Sequence, residues 1–136
     1  MKKFFFGGAD IKSGAANFGL LVLRLYAGLM MAFSHGLGKL PPSEKFISGV
    51  ADIGFPNAVI FAWAAALSEF LFSLFVAAGL MTRISAFFVT FTMATAAYRH
   101  LSTGNGDPER ALTYLAIFFA LMLIGGGKFS VDKKLS

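Results

Sequence analysis

Four long apolar stretches alternate with short polar segments along the chain. They predict helices at about residues 17–36, 56–80, 84–100 and 110–126, each near the length that a membrane-spanning helix needs. The connection at residues 81–83 is so short that the second and third helices must run antiparallel. We therefore expect an all-α fold, in which residues 1–136 form a single integral membrane bundle of four antiparallel transmembrane helices.

The polar segment between the first and second of these helices contains a further short helix. Pro41 and Pro42 end the first helix, and Ser43 is a favourable N-cap for the next one. The apolar residues that follow share one helical face, namely Phe46, Ile47, Val50 and Ala51. This pattern is typical of an amphipathic helix that lies at the membrane interface.

The composition agrees with a membrane location. Of the 136 residues, 57% are hydrophobic and only 14% are charged, which disfavours an ordinary soluble domain. The amino end is basic, as in a secretory signal, but Gly7, Gly8 and Asp10 interrupt its apolar part after a few residues. We therefore expect this segment to be a retained leader.

The net charge of +5 reflects basic residues that are scattered singly among apolar segments. Because they form no stripe, nucleic acid is not an expected partner. If both termini lie inside, seven lysines and arginines fall on the inner side and four on the outer side. This count favours cytoplasmic termini.

The chain contains no cysteine. This excludes disulfides, thiolate metal sites, iron–sulfur clusters and thiol relays within the chain. Phosphate loops, dinucleotide fingerprints and serine triads are also lacking, and we expect no metal site. Any redox chemistry would therefore need a bound cofactor.

Two charged residues interrupt the first two apolar stretches. Arg24 shares a helical row of small residues with Gly28 and Gly36, and Glu69 shares one with Ser73. Since buried charges in a membrane need partners, an Arg24–Glu69 ion pair is geometrically permitted. The pair has two readings that stay open: a structural clamp between two helices, or a site for a proton, an anion or a polar ligand head.

His35 and Lys39 extend this polar face to the end of the first helix. His35 lies within about 20° of Arg24 around the helix axis, and Lys39 follows one turn later. Imidazole can carry a proton or donate a hydrogen bond to a ligand carbonyl. His35 and His100, at helix ends of similar depth, could also ligate haem, which is the weaker interpretation.

The ordered polar residues resemble those of the DoxX family of small bacterial membrane proteins. The resemblance rests on "RLYAGLMMAFSHGLGKL", "SEFLFSLFVAAGLMTRISAF" and "ERALTYLAIFFALMLIGGGKFSVD", which follow one another in this order. The matching positions are Arg24, His35, Gly36, Lys39, Glu69, Arg83 and Glu109.

The resemblance implies a four-helix bundle in the bacterial cytoplasmic (inner) membrane. The family takes its name from a subunit linked with a thiosulfate:quinone oxidoreductase, and its members are described as redox-associated. A more distant similarity to the Surfeit-locus cargo receptors implies a different role, the binding of protein partners within the membrane.

Three functions are compatible with these features. The preferred hypothesis is a quinone-linked membrane subunit, in which Arg24, His35, Lys39 and Glu69 surround a polar site between helices 1 and 2. The alternatives are a non-enzymatic adaptor that recruits protein partners and a small-solute carrier. Whether the chain alone is an enzyme is left open, because electrons would have to come from a partner or through a bound cofactor.

Overall fold

The computed structural model describes residues 1–136 and contains seven helices and no strand. The helices are α1 (Lys2–Phe6), α2 (Gly14–Lys39), α3 (Glu44–Ile53), α4 (Ala58–Ala78), α5 (Thr82–Thr103), α6 (Pro108–Ile124) and α7 (Val131–Leu135). The expected all-α class is confirmed.

Three of the four long helices, α2, α4 and α6, begin at polar caps that precede the apolar stretches. The Ser13 side chain accepts a hydrogen bond from the backbone N–H of Ala16 at the start of α2. Asp107 accepts from Glu109 and Arg110 at the start of α6, where Pro108 occupies the first turn. Such caps satisfy free N–H groups of the first turn, so α2 and α6 start before the apolar residues from which the pattern was read.

Two of the long helices, α2 and α4, are long and apolar enough to cross a membrane. By the same test α6 is too short, with 17 residues, and α5 carries several threonines together with Arg99 and His100. Length and hydropathy therefore establish two candidate spans, where the apolar pattern predicts four.

The hydrophobic core lies where the four long helices meet. Its fully and mostly buried residues are Leu20, Ala27, Met31, Val76, Ala86, Val89, Met93, Phe118 and Leu121. These apolar side chains pack against one another, and buried polar residues such as Arg24, Ser73 and Ser85 lie between the same helices.

Helices α2 and α4 contact each other through small residues. A Cβ atom added at Gly28 would lie 2.6 Å from the Ser73 carbonyl oxygen, and one added at Gly36 would lie 2.5 Å from the Glu69 carbonyl carbon. Each helix also widens into a π-helical turn, at Met31–Gly36 in α2 and at Ser68–Phe72 in α4, and the two turns face each other. Wide turns of this kind are frequent at functional sites.

The carboxyl-terminal segment is bound to the end of the bundle at which α4 ends and α5 begins. The buried carboxylate of Asp132 accepts hydrogen bonds from the backbone N–H groups of Met81 (2.7 Å) and Thr82 (2.8 Å), and from the Thr82 hydroxyl (2.6 Å). Asn17 in α2 accepts a further bond from the Lys128 N–H. The start of α5 is thereby capped by a residue fifty positions later in the chain.

Candidate functional site

An ion pair between Lys39 and Glu69 marks the site. The ammonium nitrogen of Lys39 lies 2.6 and 2.8 Å from the two carboxylate oxygens of Glu69. Only 2% of the Glu69 side chain is exposed, against 35% of the Lys39 side chain. Lys39 also lies 5.3 Å from the centre of the Phe46 ring, which couples the end of α2 to α3.

A cavity of about 420 Å³ lies on one side of this ion pair, between α3, α4 and α5. Aromatic and aliphatic side chains form most of its wall, including Phe46, Val50, Ile53, Phe61, Phe88 and Phe91. The polar groups of Ser68, Thr92 and Arg99 join the ion pair at the lining. We call this space the ligand cavity.

Helix α3 covers the ligand cavity with one face. The Ser43 side chain caps the helix as expected, by accepting from the Phe46 N–H. The cavity-lining residues recur at helical spacing, as Phe46, Gly49, Val50 and Ile53. Ala51 was predicted to lie on this face but is exposed. The inward face of α3 includes Gly49, which is buried although it has no apolar side chain.

Arg99 reaches the ligand cavity from α5 and is a residue that the sequence analysis did not select. Its Nε atom is buried and has no hydrogen-bond partner in the protein. The guanidinium lies against α3 at Gly49, where an added Cβ would be 2.9 Å from Nη2. An unpaired buried N–H is costly, so this group is suited to a ligand that brings an acceptor oxygen.

A second, more polar cavity of about 270 Å³ lies on the other side of the ion pair, between α2, α5 and α6. His35, His100, Arg110 and Tyr114 line it, and it shares Lys39 and Glu69 with the ligand cavity. The His35 ring packs edge-on against the Tyr114 ring, with 5.6 Å between their centres. We call this space the polar cavity.

The expected Arg24–Glu69 ion pair is not formed, and this prediction was wrong. Arg24, 1% exposed, donates instead to the backbone carbonyls of Val76 (2.9 Å), Ala77 (3.3 Å) and Phe129 (2.9 Å), and also to that of Gly126. Helical side chains lean toward the helix amino terminus, and this direction carries the guanidinium away from Glu69. Arg24 thus ties α2 to α4 and the carboxyl-terminal segment.

The other residues selected from the sequence fall in different places. Gly28, Gly36 and Ser73, which the helical rows or the family resemblance selected, lie at the α2–α4 contact, where Ser73 is fully buried. Arg83 donates to the Met122 carbonyl at the opposite end of the bundle. Glu109 is exposed in the first turn of α6 and lines neither cavity.

The structure therefore brings together His35, Lys39 and Glu69, adds Arg99, and separates them from Arg24. His100 lines both cavities and lies with His35 at the same end of the bundle. Only the position of Arg99 at the end of an apolar helix could have drawn attention to it from the sequence.

No curated protein and no solved structure matches the chain. The family model for DoxX matches residues 19–101, which include α3, α4, nearly all of α5 and the whole Lys39–Glu69 site. Because this match covers more than half of the chain, the protein belongs to the DoxX family and is a small membrane protein.

Proposed function

We propose that the protein binds a quinone-type ligand in the ligand cavity, as the small membrane subunit of a redox-associated complex. The observation that carries the proposal is the unpartnered Arg99 Nε beside an apolar cavity that also contains the Lys39–Glu69 ion pair. An apolar body with one polar acceptor end is the ligand shape that this arrangement complements.

The residues of the cavity fit such a ligand. Its volume of about 420 Å³ falls within the roughly 300–1,000 Å³ that is usual for small-molecule sites. Phe88, Phe91 and the α3 face supply apolar contact, while Arg99 supplies a charged donor for a carbonyl oxygen. A bound quinone would supply the capacity to carry electrons and protons, which the side chains of this chain lack.

Within this proposal, Glu69 is the group that can hold a proton at the cavity. Its carboxylate lies at the cavity lining, and Lys39 balances its negative charge between proton transfers. Since the chain has no cysteine, electrons would come from a protein partner in the membrane. Chemistry by the isolated chain is therefore not part of the proposal.

Haem is not proposed. His35 and His100 line the same space, but the polar cavity of about 270 Å³ is smaller than the roughly 300 Å³ at which small-molecule sites begin. A space of this size suits small solutes better than a porphyrin.

We further propose that all four long helices cross the bacterial cytoplasmic membrane, with both termini in the cytoplasm. Large apolar side chains are exposed along every one of them, among them Phe18, Ile60, Phe91 and Phe119. Such a continuous apolar exterior is stable only against lipid or another apolar surface. The 17 residues of α6 extend about 26 Å, which is close to the hydrocarbon thickness of roughly 30 Å.

Titration of the purified protein with decyl-ubiquinone tests the proposed ligand class. Calorimetry in detergent should show saturable binding that weakens about tenfold in Arg99→Gln, because one charged hydrogen bond is lost. Lys45→Gln, which removes an exposed charge from α3, is the matched control and should bind as the wild type.

Two results would overturn the proposal. One is folded wild-type protein that does not bind decyl-ubiquinone but does bind palmitate, which would assign the cavity to fatty acids. The other is Arg99→Gln protein that binds decyl-ubiquinone as tightly as the wild type, which would show that the ligand head lies elsewhere.

A further inference from the structure

We infer that the polar cavity is a water-filled vestibule through which protons reach Glu69 from the membrane surface. The inference rests on the proposed function only in that it assigns the source of protons for the ligand cavity. It concerns the other side of the Lys39–Glu69 ion pair and involves different residues.

The burial of the lining residues gives the vestibule a mouth and a floor. Gly106, Asp107 and Arg110 are exposed at the loop between α5 and α6. Met31 and Met93, 1% and 5% exposed, lie with Glu69 at the closed end, and Ala111, 6% exposed, forms part of the wall. The cavity therefore leads from the surface to a carboxylate whose side chain is only 2% exposed.

The size and chemistry of the vestibule suit water. At about 30 Å³ for each molecule in the liquid, its volume of about 270 Å³ has room for roughly nine waters. The cationic or titratable groups that line the two cavities with Glu69 are Lys39 and His35 from α2, Arg99 and His100 from α5, and Arg110 and Tyr114 from α6. Asp107 at the mouth is occupied as the cap of α6.

His100 is placed to pass protons inward. Its Nδ1 lies 2.7 Å from the Asn105 carbonyl oxygen, which can only accept, so the proton is on Nδ1 and the Nε2 lone pair is free. The transfer moves one proton from a hydronium ion in the vestibule to a Glu69 oxygen, with or without His100 as carrier. It leaves a water molecule and a neutral carboxyl group beside Lys39.

Substituted cysteines can test the vestibule directly, because the natural chain contains none. The probe is the charged, membrane-impermeant thiol reagent methanethiosulfonate ethyltrimethylammonium, applied to proteoliposomes. Ala111→Cys lies in the buried wall of the vestibule, whereas Ala97→Cys is about equally buried, at 4% exposed, but lines neither cavity. Asn105→Cys, in the exposed loop, gives the reference rate at which the reagent modifies a fully accessible thiol.

The vestibule predicts that Ala111→Cys reacts within about tenfold of the Asn105→Cys rate, and that Ala97→Cys reacts at least about a hundredfold more slowly. Modified Ala111→Cys should then block the labelling of Glu69 by a water-soluble carbodiimide, measured by peptide mass spectrometry, at least about tenfold. Met93→Cys, on the facing wall, should reproduce the Ala111→Cys rate.

Slow reaction of both Ala111→Cys and Met93→Cys in folded protein would overturn the vestibule. So would fast reaction at both positions without protection of Glu69, because the water would then not reach the carboxylate. These results are separable from the ligand: fast labelling without decyl-ubiquinone binding rejects the proposed function alone, and binding with slow labelling rejects the vestibule alone.

Discussion

Arg24 and Glu69 are both buried charges, and the protein stabilises them in different ways. Four backbone carbonyls surround the Arg24 guanidinium, whereas a single lysine balances Glu69. Ala77 lies in the last turn of α4, and Gly126 and Phe129 lie between α6 and α7, so their carbonyl oxygens lack helical partners. An arginine with five N–H donors can satisfy several of them at once. Arg24 is thus the structural clamp, and Glu69 is the charge available to a site.

The sequence could identify these charges but not their partners. Helical periodicity places Arg24 and Glu69 on inward faces, and this is where the structure has them. It does not say which way along the helix axis a long side chain extends. Helical spacing also places Lys39 on the polar face near His35, but it does not pair Lys39 with Glu69, which lies thirty positions later.

Replacing Arg24 should destabilise the fold without directly affecting the ligand. Arg24→Gln removes the side-chain donors of the Ala77, Gly126 and Phe129 carbonyls, each loss costing about 1–3 kcal/mol, so we expect a loss of roughly 3 kcal/mol or more in the free energy of unfolding. Thermal or SDS-induced unfolding measures it. Arg83→Gln, which removes a bond to one carbonyl, should lose far less, and equal losses in the two variants would contradict the clamp.

At the scale of elements, the contact between α2 and α4 depends on backbone approach at glycine. Gly36→Ala would place a methyl group 2.5 Å from the backbone of Glu69 and Phe70, which cannot move aside cheaply. We expect a loss of about 1–3 kcal/mol in unfolding free energy. Gly38→Ala, two residues later, has open space around the new methyl group and should be neutral. Equal stability of the two variants would show that α2 and α4 do not touch at this level.

A substitution in α3 should weaken ligand binding without lowering the stability of the protein. Gly49→Ala replaces glycine within a helix, which favours folding by up to about 1 kcal/mol, but the methyl group displaces the flexible end of Arg99. Decyl-ubiquinone affinity should therefore fall about tenfold with no loss of thermal stability. Ser48→Ala, on the exposed face of α3, is the control, and unchanged affinity in Gly49→Ala would remove Arg99 from the site.

The positions of the helices could be predicted from the sequence, but the side-chain contacts at the ends of the bundle could not. Apolar stretches fix where helices lie because burial against lipid or core requires them. The close fit of Gly49 under Arg99 and the capping of α5 by Asp132 join residues about fifty positions apart. Nothing local distinguishes Asp132 from its charged neighbours, so only the folded chain reveals such pairs.

At the scale of the whole molecule, the two ends of the bundle should lie on opposite sides of the membrane. The loop containing Asn105 is at the cavity end, and α7 packs at the other end through Asp132. In right-side-out vesicles, an impermeant thiol reagent should modify Asn105→Cys and spare Lys134→Cys, and inverted vesicles should give the reverse. Modification of both from the same side would contradict four crossings with cytoplasmic termini.

The central claim, an amphipathic ligand in the ligand cavity, is tested most directly by the small molecules that purify with the protein from its native membrane. Extraction followed by mass spectrometry should yield a quinone at about one per chain from the wild type. Ala65→Phe, which fills the cavity, should lack it, and Ala51→Phe, on the exposed side of α3, should retain it. If folded wild-type protein carries only bulk lipid, or if Ala65→Phe keeps the quinone, the ligand cavity is not a quinone site and the protein is better explained as an adaptor for membrane partners.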